Sequence, residues 1–455
     1  MTSPSWLPSL ESLAASNSIR LVRPSDADFD EINLCYIRRP TCQAAAIVRP
    51  KNAEDVSTLI KYCTSHSAPF VIRSGGHDSS GRSQVAGALA IDMREMNKTT
   101  ISADGKTAKV EGGALLSQVS DALGEENLVT PVGIISSVGY IGWATGAGYG
   151  PFAKSLGMGV DQILAARLVN WEGDIIDADE ELLKGLRGAG PTFGAIVELT
   201  IKVYPLDTVL SGFVMYDTSN FETTINQWFD AFNKLSEGAG IPPTLSIQLA
   251  VIEVPGLGRV VASMVVWTSP DQDEGRRWVD KIVSMGNCVM QNVAPNKVGD
   301  YLRGNDSAIK IGSWGRNNTV SVRAFTPKVS QIIRKHTETL PGGVGFASHF
   351  LSGPSLEPNE QSVFGTRVEH IVLEILSATQ YETKMEECIA WGKAFRKDLL
   401  ESAPEDVVGA GFPALLTAEE SDLRKIYGHK YEVLIALKRK YDPHNIFKNT
   451  IPRIE

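Results

Sequence analysis

Five consecutive residues at the end of an apolar run, Arg73-Ser74-Gly75-Gly76-His77, are the first in the chain whose types and order suit chemistry. Two adjacent glycines let the backbone approach a ligand closely and expose successive N–H groups as an anion cradle. A histidine beside such a cradle is placed at something planar and anionic. A tight turn carrying an incidental imidazole is the competing reading of the same residues. A second site runs from Pro131 and Gly133 through Ser136-Ser137-Val138-Gly139 and Gly142 to Gly146, Gly148 and Gly150. The six glycines between positions 133 and 150 do not suit a helix or a regular strand interior. Such a backbone needs a ligand or close packing to offset its entropy cost. It is not the dinucleotide fingerprint, because no helix pattern follows Gly150 and no acidic residue stands at the ribose position.

These sites need elements to hold them. Residues 45–49 read as an apolar strand ended by Pro50. Asn52 caps an amphipathic helix that runs to Tyr62, and 69–73 is the strand that delivers His77. Short strands follow at 87–92 and 107–111, with a helix at 115–123. Ahead of them, residues 1–40 read as a short helix on Leu7, Leu10 and Leu13 and a polar connector. The mixture up to Pro205 predicts an α+β domain. From about Leu210 longer alternating strands at 210–216, 244–254, 259–268 and 370–378, with helices at 221–237 and 273–285, predict an antiparallel sheet with helices on one face. A basic helix at 423–440 is stopped by Tyr441-Asp442-Pro443.

Composition bounds the answer. A chain of 455 residues exceeds what one core supports, so two domains are expected. A net charge of -9 argues against nucleic acid or an anionic membrane as partner. No apolar run approaches the roughly 20 residues that span a bilayer, and the first residues lack the basic region of a signal peptide. The cysteines at 35, 42, 63, 288 and 388 are irregularly spaced; they fit reduced thiols, a cytoplasmic location and no metal site.

Two further motifs, Leu186-Arg187-Gly188-Ala189-Gly190-Pro191-Thr192-Phe193-Gly194 and Tyr441-Asp442-Pro443-His444-Asn445-Ile446-Phe447, follow the first two in order. Together the four resemble the berberine-bridge-enzyme-like branch of the vanillyl-alcohol-oxidase flavoproteins, over residues 44 to 451. The resemblance implies an α+β fold. Its PCMH-type FAD-binding domain is in two parts, 1–206 and 415–455, with 207–414 inserted as a substrate domain of antiparallel sheet covered by helices. It implies FAD attached covalently through His77. Arg73, Ser74, Gly75, Gly76 and Gly81 would wrap the cofactor. Pro131, Gly133, Ser136, Ser137, Gly139, Gly142, Gly148, Ile196 and Val197 would line it, and Tyr441 and Asn445 would complete the site. Many relatives add a cysteinyl link where Ile135 stands, so a single histidyl link is expected. Relatives with a small residue at the Val138 position admit dioxygen, which points to an oxidase.

The substrate side is less legible. A tyrosine that many relatives carry ahead of the last helix is replaced by Gly411-Phe412-Pro413-Ala414. The candidates for a base are then His370 and Glu374, which period 2 puts on one face of a strand with Val372 and Leu376. Which face meets the flavin is open, and a structural ion pair for Glu374 stays open too. His349 and Glu357 are further candidates, whereas His66, His336, His429 and His444 lie in polar stretches and read as exposed. The expected function is an FAD-dependent oxidase acting on a small molecule at a C–N or C–O centre with dioxygen as acceptor. A non-oxidative cyclase on the same fold and an inactive flavin-binding module are the alternatives. Oligomeric state is unreadable.

Overall fold

Asn52 starts its helix as its side chain requires: Oδ1 accepts the Asp55 N–H at 2.8 Å, and the helix Ala53–Ser65 buries Val56, Leu59 and Ile60. That apolar face joins two small sheets. One is ordered Arg20–Val22, Ala46–Arg49, Leu89–Asp92, Phe70–Arg73, with the last three strands parallel. The other is antiparallel and ordered Thr99–Ile101, Thr107–Glu111, Ala195–Lys202, Ile163–Val169, Ile175–Asp177. Val169, Ala195 and Val197 of the second sheet share a core with Val48, Leu89 and Ile91 of the first. The computed structural model describes residues 4–79, 81–238, 240–254, 256–409, 415, 422–450 and 452–454, and the Gly411 to Ala414 stretch lies outside them.

The α+β class expected from the pattern is the observed one. Beyond Val209 the chain forms a nine-stranded antiparallel sheet whose centre runs Gly258–Trp267, Leu245–Val254, Gly345–Leu351, His370–Thr379, Trp314–Val322. Its helices Phe221–Leu235, Gln272–Val283, Pro327–Glu338 and Met385–Ser402 cover one face, burying Ile247, Leu249, Val251, Val320, Ile371, Leu373 and Ile375. By alternation, His370, Val372 and Glu374 project from the other face.

Three expectations need correction. The glycine run is partly helical: Tyr140–Thr145 forms a short helix around Gly142 because Tyr140, Ile141, Trp143 and Ala144 are buried together. The last basic helix is two, Leu423–Tyr427 and Tyr431–Tyr441, separated at Gly428 with φ 53°. The polar connector contains a buried trio, Cys35, Tyr36 and Ile37. Tyr427, Leu434 and Leu437 pack with Leu182 and Leu186, while Phe447 meets Phe70 edge-on at 5.9 Å, so the C-terminal segment returns to the glycine-rich part of the chain.

Candidate active site

The two glycine segments meet backbone to backbone. A Cβ on Gly75 would lie 2.3 Å from the Gly139 nitrogen, and one on Gly139 would lie 1.8 Å from Ser74 Oγ, so neither position admits a side chain without moving the other loop. This contact carries His77 to Ser137, whose Oγ lies 2.9 Å from imidazole Nε2. The next serine is held from the sheet part of the chain: Asp306 accepts the Ser136 N–H at 3.0 Å and its hydroxyl at 2.5 Å. Burial pushes the His77 pKa down to about 4 against the opposing charge of Asp306, so the ring is neutral near pH 7.

Opposite lies the free face of the large sheet. Leu351 and Val372 pack against Ala147, Tyr149 and Ala153, which settles the open question: the face bearing His370 and Glu374 looks toward the glycine-rich run. Glu374 Oε1 is 3.4 Å from His349 Nε2, and Gln248 Nε2 lies 2.8 Å from His349 Nδ1. His349 Nε2, beside the carboxylate, is buried and makes no hydrogen bond among the described residues. His370 is 1% exposed and donates Nδ1–H to the Val368 carbonyl at 2.7 Å. Its Nε2 lone pair has no hydrogen-bond partner among the described residues, and burial lowers its pKa. Asn317 Oδ1 is likewise buried and unpartnered. On this face of the four strands from Leu245–Val254 to Trp314–Val322, Glu374 is the one carboxylate, and no Lys or Arg occurs.

The remaining expected residues divide. The Arg73 side chain is 2% exposed and spent on Asp92 at 3.1 Å and on the Ile32 and Asn33 carbonyls, so only its backbone is free for a ligand. Gly81, φ 83°, makes room for the Arg39 guanidinium, and Gly148, φ 76°, for Gly159. Gly142 is exposed and has open space where a Cβ would stand. Gly76 takes φ 67° beside Cys35, and a Cβ on Gly133 would press on Trp143. Pro131 is buried and Val138 half-buried. Ile196 and Val197 turn their side chains into two separate cores. Tyr441 donates to Asp179 at 3.0 Å, the residue that caps the N-terminus of the helix Glu180–Ala189. Asn445, φ 49°, keeps a buried, unpartnered Oδ1. Glu357 is exposed and outside the site. His336, read as exposed, is buried and bonded to Asp398 at 2.9 Å. Asp306, Gln248, Asn317 and Tyr36 belong to the site and were not singled out by the sequence; each is a lone polar residue in a loop or strand without a motif.

The cradle suits a flavin dinucleotide. The hydroxyl oxygens of Ser79 and Ser83 and the Oδ1 of Asn445 are buried without a hydrogen-bond partner among the described residues, so they offer polar atoms to a ligand. Comparison with known proteins agrees. Residues 44–179 match the family model described as an FAD binding domain. The chain is 29% identical to the FAD-linked oxidoreductase aurO of Gibberella zeae over 96% of its own length and 86% of that protein. It is 25% identical to (R)-6-hydroxynicotine oxidase of Paenarthrobacter nicotinovorans, over 94% and 95% of the two chains. The solved structure of Physcomitrella patens BBE-like 1 superposes with TM-score 0.85 at 18% identity, covering 98% of this chain and 99% of that one. Among the described residues no helix is long and apolar enough to cross a membrane.

Proposed function

We propose that this chain, which carries an FAD binding domain over residues 44–179 and has the berberine-bridge-enzyme-like fold, is an FAD-linked oxidoreductase, an oxidase of a small amine. The hydride leaves a C–N centre, with a C–O centre as the alternative within the same reaction class, and dioxygen is reduced to hydrogen peroxide. FAD, when bound, supplies the hydride acceptor. Residues 1–206 and 415–455 would hold it, and 207–414 would carry the substrate side. His77 is its covalent anchor: Ser137 occupies Nε2, which leaves Nδ1 for the bond, and a neutral ring keeps that lone pair available. Ile135 leaves no second anchor.

One observation carries the substrate side, the sheet face with a single carboxylate, two histidines and no basic residue. Such a face attracts a protonated amine and repels an acid. Glu374 binds that cation or takes its proton, with His349 beside the carboxylate at 3.4 Å, and the His370 lone pair accepts a substrate N–H or O–H. Val138 borders the path by which dioxygen approaches. Anaerobic mixing with a panel of amines, alcohols, sugars and hydroxy acids tests this reading. Bleaching of the flavin by amines, with one hydrogen peroxide per turnover in air, is expected. Bleaching by hydroxy acids alone would overturn the assignment.

A further inference from the structure

We propose that Tyr36, on the segment ahead of the FAD-binding residues, is a positioning residue that fixes the plane of the His77 imidazole and ties it to the substrate-side sheet. The inference rests on His77 being the anchor.

The Tyr36 ring stacks on the imidazole, centroids 5.3 Å apart and planes 16° from parallel. Ser137 holds the imidazole by its edge and Tyr36 covers its face, so rotation of the ring requires one of them to move. Tyr36 is itself pinned from both sides. Its N–H donates to the Gly76 carbonyl at 3.0 Å, next to His77, and its own carbonyl accepts from Ser313 N–H at 2.8 Å. The phenol oxygen accepts from Asn317 Nδ2 at 3.0 Å, on the sheet face that bears Glu374. With a phenol 4% exposed and an amide whose other end is unpartnered, this contact is costly to break. Attachment exchanges the imidazole N–H and one C–H of the flavin methyl group for a C–N bond, and the two hydrogens pass through the flavin to dioxygen as hydrogen peroxide. The protein's part is orientation: Nδ1 must face the methyl carbon, and a ring free to turn meets it in a fraction of its orientations.

The experiment compares holoenzyme from wild type, Tyr36→Phe and Tyr36→Leu, expressed with ample riboflavin. Flavin is counted in the acid precipitate and the supernatant, and folding is followed by melting. Wild type is expected to keep one flavin per chain in the precipitate, and Tyr36→Phe, which keeps the stack, nearly as much. Tyr36→Leu is expected to retain at least about fivefold less while still binding FAD that acid releases. Full retention in the leucine variant overturns the proposal. So does a phenylalanine variant that loses attachment, an outcome that decides even where the leucine chain does not fold. Complete release from wild type is a separate result: it removes the anchor itself, and the role of Tyr36 with it.

Discussion

The two walls of the site are built by opposite rules. On the glycine wall the fit is between backbones, and the polar side chains at the contact of the two loops are spent within the protein: Ser137 on His77, Ser136 on Asp306, Ser74 Oγ on the Gly75 N–H at 2.8 Å. On the sheet wall the backbone is satisfied by its ladder, and His349 Nε2, His370 Nε2 and Asn317 Oδ1 have no hydrogen-bond partner among the described residues. A wall of the first kind suits a ligand that never changes, because every atom of the socket is fixed before the ligand arrives. The second kind suits a ligand chosen by a few exchangeable groups on an unaltered frame.

If that contrast is right, substitutions on the two walls fail differently. Gly75→Ala places a methyl group 2.3 Å from the Gly139 nitrogen and is expected to abolish flavin loading. It should also cost roughly 2–4 kcal/mol of stability, read by denaturant titration and by absorbance of the purified protein. Glu374→Gln should do the reverse. Flavin content and melting temperature stay at the wild-type level, while anaerobic flavin reduction by the substrate slows by about 10²- to 10⁴-fold in stopped flow. Loss of flavin in this variant would mean that Glu374 is part of the frame.

The same contrast explains what was legible in the amino-acid sequence. Backbone fits force residue types, so Gly75, Gly139 and the serines between the loops announced themselves, and the Asn52 cap and the long strands followed from pattern. Parity placed His370 and Glu374 on one face, but only the packing of Val372 on Ala147 and Tyr149 tells which way that face looks. Asp306 and Tyr36 act through contacts 170 and 41 residues distant in sequence, at Ser136 and His77, which no local spacing encodes. Arg73 stands inside the motif, yet Asp92 claims its guanidinium, a partner 19 residues away that the motif does not announce.

Smaller effects sharpen the boundary between the walls. Asp306 belongs to the sheet part of the chain but serves the glycine wall, so Asp306→Asn should lower stability by about 1–3 kcal/mol and slow flavin incorporation, with little effect on substrate affinity. A changed affinity with normal incorporation would move Asp306 to the other wall. Val138→Leu adds about one methylene at the position proposed above to border the approach of dioxygen. It should slow reoxidation of the reduced flavin by about 3- to 10-fold, on the order of 1 kcal/mol in barrier, and leave reduction nearly unchanged. Equal slowing of both half-reactions would make Val138 a packing residue.

The central claim is that the glycine wall fixes FAD through His77 alone. Proteolysis of the acid-denatured protein followed by mass spectrometry of the yellow peptides tests it most directly. The account predicts one flavin per chain, carried on the peptide that contains His77 and bonded through Nδ1. Flavin found wholly in the acid supernatant, or on a peptide without His77, would contradict it.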